Sequence, residues 1–146
     1  MPPDYPVFVS IVVDAPPAVV WRALTDPSMI KHYLFGTGVA TDWKAGSPIT
    51  YKGIWEGKPY EDKGTVLDVD PQRLLVSTFW SSLIGAPDLP ENYQTVRYEL
   101  VPEAAGTRLT VTQDNNEPQQ DADHSASNWS MVLEGLRKLV ESSRGP

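Results

Sequence analysis

Residues 123–142 read DHSASNWSMVLEGLRKLVES, and this stretch decides the fold. Trp129, Leu133, Leu136 and Val140 recur at i, i+4, i+7 and i+11, with Val132 and Leu139 beside them. That spacing is the apolar stripe of an amphipathic helix, predicted over Asp123–Ser142. On its wet face Glu134 and Lys138 form a favourable i,i+4 pair. Asp121 and Asp123 stand where carboxylates complement a helix start. A long helix with one apolar stripe needs a surface to cover, and the residues before it supply one.

From Gly36 to Asn115 short β-rich runs alternate with Gly, Pro, Asp and Asn. Strands are predicted near Gly38–Asp42, Pro48–Trp55, Tyr60–Asp68, Arg73–Trp80, Tyr93–Val101 and Thr107–Gln113. Val96, Tyr98 and Leu100 share one face of their strand, as do Leu109, Val111 and Gln113, so each strand has a buried and a wet side. Turns fall at Lys44–Ser47, Glu56–Pro59 and Glu103–Gly106, and hairpin following hairpin implies an antiparallel sheet. The segment 85–92, GAPDLPEN, is a loop.

Ahead of these runs, Val7–Asp14 is β-branched and reads as a strand, with Val7, Val9, Ile11 and Val13 on one face and Phe8 and Val12 on the other. Asp14 as cap, followed by Ala15-Pro16-Pro17, opens a short helix over Pro17–Thr25. Asp26-Pro27 repeats the signal and opens a second short helix to Tyr33, with Met29, Ile30 and Tyr33 on its apolar side. The order is strand, two short helices, six strands, one long helix. That is an α+β architecture, an antiparallel sheet of about seven strands crossed by a helix. A strongly curved sheet leaves a gap under such a helix, so the geometry predicts a cavity as readily as a core.

The 146 residues suit a single domain over 1–146 with a core at about 7–143. The 12 basic and 19 acidic residues give a formal charge of −7 with no basic run, which argues against nucleic acid and anionic membranes as partners. The absence of cysteine excludes a disulfide framework, a thiolate metal site and a cysteine nucleophile. Leu74–Pro87 is the longest uncharged stretch and falls short of the roughly 20 apolar residues a spanning helix needs, so no membrane insertion is expected. MPPDYPVF lacks the basic and apolar regions of a signal peptide, and a cytoplasmic domain is expected.

Four segments, in order, resemble the START-like, helix-grip (Bet v 1-like) superfamily. They are Val20-Trp21-Arg22-Ala23-Leu24-Thr25-Asp26-Pro27, Gly64–Pro71 followed by Arg73-Leu74-Leu75, Gly106–Thr112, and Trp129 with Leu133 and Leu136. Within it the chain is most similar to the group named after the activator of the Hsp90 ATPase. The resemblance implies a ligand cavity beneath the long helix. It also implies a departure from the commoner pattern at Gln113, Tyr33 and Asn128, where many relatives carry His, Trp and Gly, and hence a different cavity polarity.

Five Trp, six Tyr and three Phe make the chain aromatic-rich. The candidate lining residues are Tyr33, Trp43, Tyr51, Trp55, Trp80, Tyr98, Gln113, Trp129 and Leu133, mostly apolar with a few polar anchors. Phe79 and Trp80 are adjacent on one strand and must face opposite ways. His32 and His124 lack metal-ligand spacing, and Glu56, Glu61 and Asp62 flank a hairpin turn. Asp68 and Arg97 sit within strands and read as an outer-face salt bridge, with polar anchors in the cavity as the alternative. There is no GxSxG elbow, and Gly36-Thr37-Gly38 lacks the third glycine of a dinucleotide loop.

The expectation is a protein that binds a hydrophobic or aromatic small molecule, with Gln113 or a Tyr hydroxyl orienting it and the loop Leu83–Asn92 gating access. No metal and no cofactor are expected. A cyclase or hydrolase on the same scaffold is the alternative, and needs a buried acid or base that the sequence does not display. The resemblance also raises an Hsp90-type chaperone as partner.

Overall fold

The computed structural model of the chain describes residues 7–33, 36–55, 57–81, 87–89, 92–114 and 119–143, without the side chains at 55, 81, 119–126 and 143. Strand β1 (Val7–Val13) turns Val7 and Val13 inward and leaves Phe8 exposed, as alternation predicts. Pro16 then takes the N-cap of helix α1 (Pro17–Thr25) in extended conformation, with no side-chain cap. Asp14 is therefore not the cap that the sequence suggested. Its backbone N–H instead donates to the Glu141 carboxylate at 3.0 Å. Asp26 does cap helix α2 (Pro27–Tyr33), accepting the Ser28 N–H at 3.0 Å and the Ser28 hydroxyl at 2.7 Å. Those bonds hold the Asp26 carboxyl below the usual range.

Strands β2 (Gly38–Ala40), β3 (Pro48–Trp55), β4 (Lys58–Asp70), β5 (Leu74–Ser81), β6 (Gln94–Glu103) and β7 (Gly106–Gln113) follow. Among the described residues they join β1 in one seven-stranded antiparallel sheet, ordered β1-β7-β6-β5-β4-β3-β2. Helices α1 and α2 carry the chain from one edge to the other, and the meander walks back until Val111 pairs with Val9.

Two boundaries moved for physical reasons. Strand β2 stops at Ala40, short of the predicted Asp42, and Trp43 takes a left-handed φ of 60° that no strand accommodates. Strand β4 starts at Lys58, ahead of the predicted Tyr60, because a tight turn brings Lys58 opposite Trp55. A bulge between Val66 and Asp68 shifts the register, so Val66 is buried while Leu67 is 48% exposed. Gly64 is required by close approach, since a Cβ there would lie 1.7 Å from the Thr78 carbonyl oxygen.

Helix α3 (Gln119–Ser143) begins before the predicted Asp123, and the side chains of Asp121, Asp123 and His124 lie outside the described residues. Its stripe is buried as predicted. Leu133, Leu136 and Val140 join Val96, Leu100, Leu109 and Val111 of the sheet and Val20 and Leu24 of α1 in one cluster. Glu134 pairs with Arg137 and not with Lys138, because the guanidinium three residues on reaches it first. Gly135 lets α3 close on α2, where an added Cβ would sit 3.3 Å from that of Tyr33. Among the described residues no helix is long and apolar enough to cross a membrane.

Candidate functional site

A second cluster occupies the other half of the inner face. Ile30, Val39, Ile49, Val66 and Leu75 form it, with Trp21, Tyr33, Trp43, Tyr51 and Tyr98 packed against them. Within this cluster lies a cavity of about 30 Å³. The helices supply Leu24, Ile30 and Tyr33 to its wall, and residues of β2, β3 and the segment between them supply Val39, Trp43, Ile49 and Tyr51. Strands β4, β5 and β6 supply Val66, Leu75, Ser77 and Tyr98. A water molecule occupies about 30 Å³ of liquid. Ligand sites run to roughly 300–1,000 Å³, so the cavity as it stands is far smaller than a ligand site.

The tyrosine hydroxyls set its polarity. Tyr33 donates to the Ala23 carbonyl at 2.8 Å, and is thereby a strut between α2 and α1. Tyr51 lies opposite the buried Asp62 in the β3–β4 ladder. Burial pushes the Tyr51 hydroxyl up to about 12; the Ser77 hydroxyl pulls the other way, and the Asp62 charge adds to the rise. Burial likewise raises Tyr33 and Tyr98, each also feeling the Tyr51 hydroxyl. The Tyr98 hydroxyl has no hydrogen-bond partner among the described residues. All three hydroxyls are neutral near pH 7, so the site offers apolar contact and hydrogen bonds.

Of the residues singled out from the sequence, Tyr33, Trp43, Tyr51 and Tyr98 meet on this cavity. Trp129 and Gln113 stand behind it. The Trp129 indole N–H donates to Gln113 Oε1 at 2.6 Å, and its ring meets Tyr98 edge-on at 5.8 Å and 81°. Gln113 is thus engaged by Trp129 and is not among the described lining residues, contrary to the role in orienting a ligand suggested for it. Leu133 is 1% exposed in the aliphatic cluster beneath α3.

Trp80 is a correction. Alternation sends Phe79 inward, edge-on to Tyr51 at 5.6 Å, and so sends Trp80 to the outer face opposite Lys63. There Trp80 stacks on Tyr93 at 6.4 Å with the Lys63 ammonium 5.7 Å from its ring. Asp88 pairs with Lys63 and holds its ammonium above the usual range.

The Trp55 side chain lies outside the described residues, as do Glu56 and 83–86 and 90–91 of the proposed gate. Asp68 and Arg97 do not pair. Each faces Val76 from opposite sides in the ladders, and Arg97 donates to Glu99 at 2.8 Å. His32 is exposed, and no group of His, Cys, Asp and Glu among the described residues could hold a metal ion. Sequence reading missed Ser77 and the aliphatic wall of Val39, Ile49, Val66 and Leu75. Counting by twos from Phe79 reaches Ser77 and Leu75, so alternation would have found both.

A seven-stranded antiparallel sheet gripped by a C-terminal helix, with a small cavity in the inner face, defines the helix-grip, START-like class. The chain belongs to the Activator of Hsp90 ATPase homolog 1-like protein family, whose model matches residues 14–141. It is similar to the solution structure of ChR145 from Cytophaga hutchinsonii, with 46% identity, 94% of each chain covered and a TM-score of 0.83. MLL2253 from Mesorhizobium loti matches at 25% identity and a TM-score of 0.77, over 94% of this chain and 97% of that one. NE0264 from Nitrosomonas europaea shares the fold at 23% identity and a TM-score of 0.76, over 95% and 96%. No curated protein matches the chain. The superfamily and family that the sequence resembled are thus borne out, and their fold is a ligand-binding scaffold in general.

Proposed function

We propose that the chain is a binding protein for an apolar or aromatic small molecule, held in the aromatic cavity, with Trp43 as the wall that moves to admit it. The observation that carries this is the conformation of Trp43. It lines the cavity from the irregular segment between β2 and β3, and its backbone is left-handed at φ 60°. A bulky residue rarely adopts that conformation, which stores on the order of 1–3 kcal/mol and clusters at switch and ligand-clamp sites. When the indole swings out, the volume it vacates suits two fused rings. The aromatic residues Tyr33, Tyr51 and Tyr98 then supply the other walls, with Leu133 and Trp129 bracing Tyr98 from behind. We take the protein to act in the cytoplasm as one domain, in keeping with its acidic, cysteine-free composition.

Binding is favoured over turnover because no described lining residue offers a group that titrates near neutrality. A chaperone partner is the second reading, favoured only by the family match over residues 14–141. A pull-down that recovers no Hsp90-type chaperone removes it.

Thermal-shift titration with 2-ethylnaphthalene tests the main reading. A ligand at a hundredfold excess over its Kd stabilises the native state by about 2.7 kcal/mol. Wild-type protein should show a saturable shift, and Trp43→Ala should bind the same probe more tightly because no ring has to be displaced. Absence of any shift in the wild type contradicts the reading.

A further inference from the structure

Resting on that reading, we infer that the cavity selects an uncharged ligand carrying a hydrogen-bond acceptor, which Tyr98 receives. Three observations converge on this. The first is the lone hydroxyl. Tyr33 donates its hydrogen bond to the Ala23 carbonyl, and Tyr51 has Ser77 beside it, whereas Tyr98 has no hydrogen-bond partner among the described residues. That hydroxyl keeps some exposure on the cavity wall, where a ligand oxygen can accept its proton.

The second is rigidity. Tyr98 is held edge-on by Trp129, whose own N–H is fixed on Gln113, and Tyr98 pairs in the sheet with Leu75 on one side and Val111 on the other. A donor so braced is already positioned when the ligand arrives, which is where specificity comes from. The third is charge. No described lining residue is a cation, the nearest buried charge is the Asp62 carboxylate across from Tyr51, and the whole chain carries −7. An anion would lose its hydration with no cation to replace it. An ammonium can use the Tyr98 oxygen as one acceptor, but its other donors lose their hydration in an apolar wall and the Tyr98 proton stays unpaired. A ketone, ester, amide or ether oxygen on an aromatic body meets every condition.

Four naphthalenes of matched shape test this: 2-acetonaphthone, 2-ethylnaphthalene, 2-naphthoate and 2-naphthylmethylammonium, titrated at pH 7 into the full chain. The ketone should bind about fivefold to tenfold more tightly than the hydrocarbon, the worth of one neutral hydrogen bond. The carboxylate should bind at least about a hundredfold more weakly than the ketone, because its desolvation goes uncompensated. Tyr98→Phe should bring the ketone down to the level of the hydrocarbon. Naphthoate or the ammonium binding as tightly as the ketone overturns the inference, and so does a Tyr98→Phe protein that keeps the gap between ketone and hydrocarbon. The ranking in the wild type decides the matter even if that variant fails to fold. Binding in the wrong order sinks the inference alone. No binding of any probe sinks the cavity reading and this inference with it.

Discussion

The half of the inner face beneath α3 and the half beneath α2 belong to one sheet, yet they are built on different principles. Under α3 the contacts are aliphatic. Val13, Leu109, Val111, Leu136 and Val140 are fully buried, and the one buried hydroxyl there, Thr107, donates to the Ala15 carbonyl at 2.7 Å. Branched aliphatic side chains interdigitate to crystal-like density and leave few voids. Under α2 the five buried residues Ile30, Val39, Ile49, Val66 and Leu75 are ringed by partly buried aromatics, and a cavity of about 30 Å³ lies between them. Flat, rigid rings tipped with hydroxyls cannot fill a curved space as completely. The Tyr98–Trp129 contact is where the two halves meet. On the proposed function, stability resides in the first half and ligand binding in the second.

The sharpest way to break that division is Leu136→Ala, which empties a fully buried site in the aliphatic half. It should cost about 3 kcal/mol of unfolding free energy and leave the ranking of cavity ligands as it was. A denaturant titration together with the four-probe series checks both. Smaller and more selective is Tyr33→Phe, which removes the bond to the Ala23 carbonyl and should cost about 1 kcal/mol. Tyr98→Phe removes a hydroxyl that no described residue engages. It should leave stability within about 0.5 kcal/mol of the wild type, because no hydrogen bond to a described residue is lost. If the two Tyr→Phe variants lose stability equally, the tyrosines are mere packing and the comparison collapses.

At neutral pH the Tyr51 hydroxyl adds little to the comparison, and its effect is confined to alkaline pH. The Tyr51 hydroxyl is raised to about 12, so the folded chain holds that proton more tightly than the unfolded chain, whose tyrosines titrate near about pH 10. Its contribution to stability is complete below about pH 10 and is lost as pH climbs through the folded value. Tyr51→Phe should therefore flatten the decline between about pH 10 and about pH 12, measured by urea unfolding at each pH. An unchanged slope would mean that Tyr51 is not buried as described.

How much of this was legible in the sequence follows the same division. The aliphatic half announces itself. Leu133, Leu136 and Val140 fix the face of α3, and the alternation of Leu109 with Val111 fixes that of β7, because periodicity directly reports which side is buried. The cavity half announces itself only in part. Tyr33, Trp43, Tyr51 and Tyr98 stood among the candidates, but so did Trp80, which alternation with Phe79 turned outward, and Gln113, which Trp129 engages. Aromatic residue type carries no direction, and direction depends on register. The bulge after Val66 and the left-handed backbone at Trp43 have no periodic signature at all. Asp14 shows the same limit on a local scale, since two successive prolines took the cap position that its side chain suggested.

The most direct test of the central claim is an amide and indole chemical-shift titration of the wild-type chain with 2-acetonaphthone. The account predicts that the perturbed signals belong to Tyr51, Ser77, Tyr98 and the Trp43 indole N–H, with Leu136 and Val140 unmoved. Shifts clustered at Lys63, Trp80 and Tyr93 on the outer face, or no shifts at all, would contradict it.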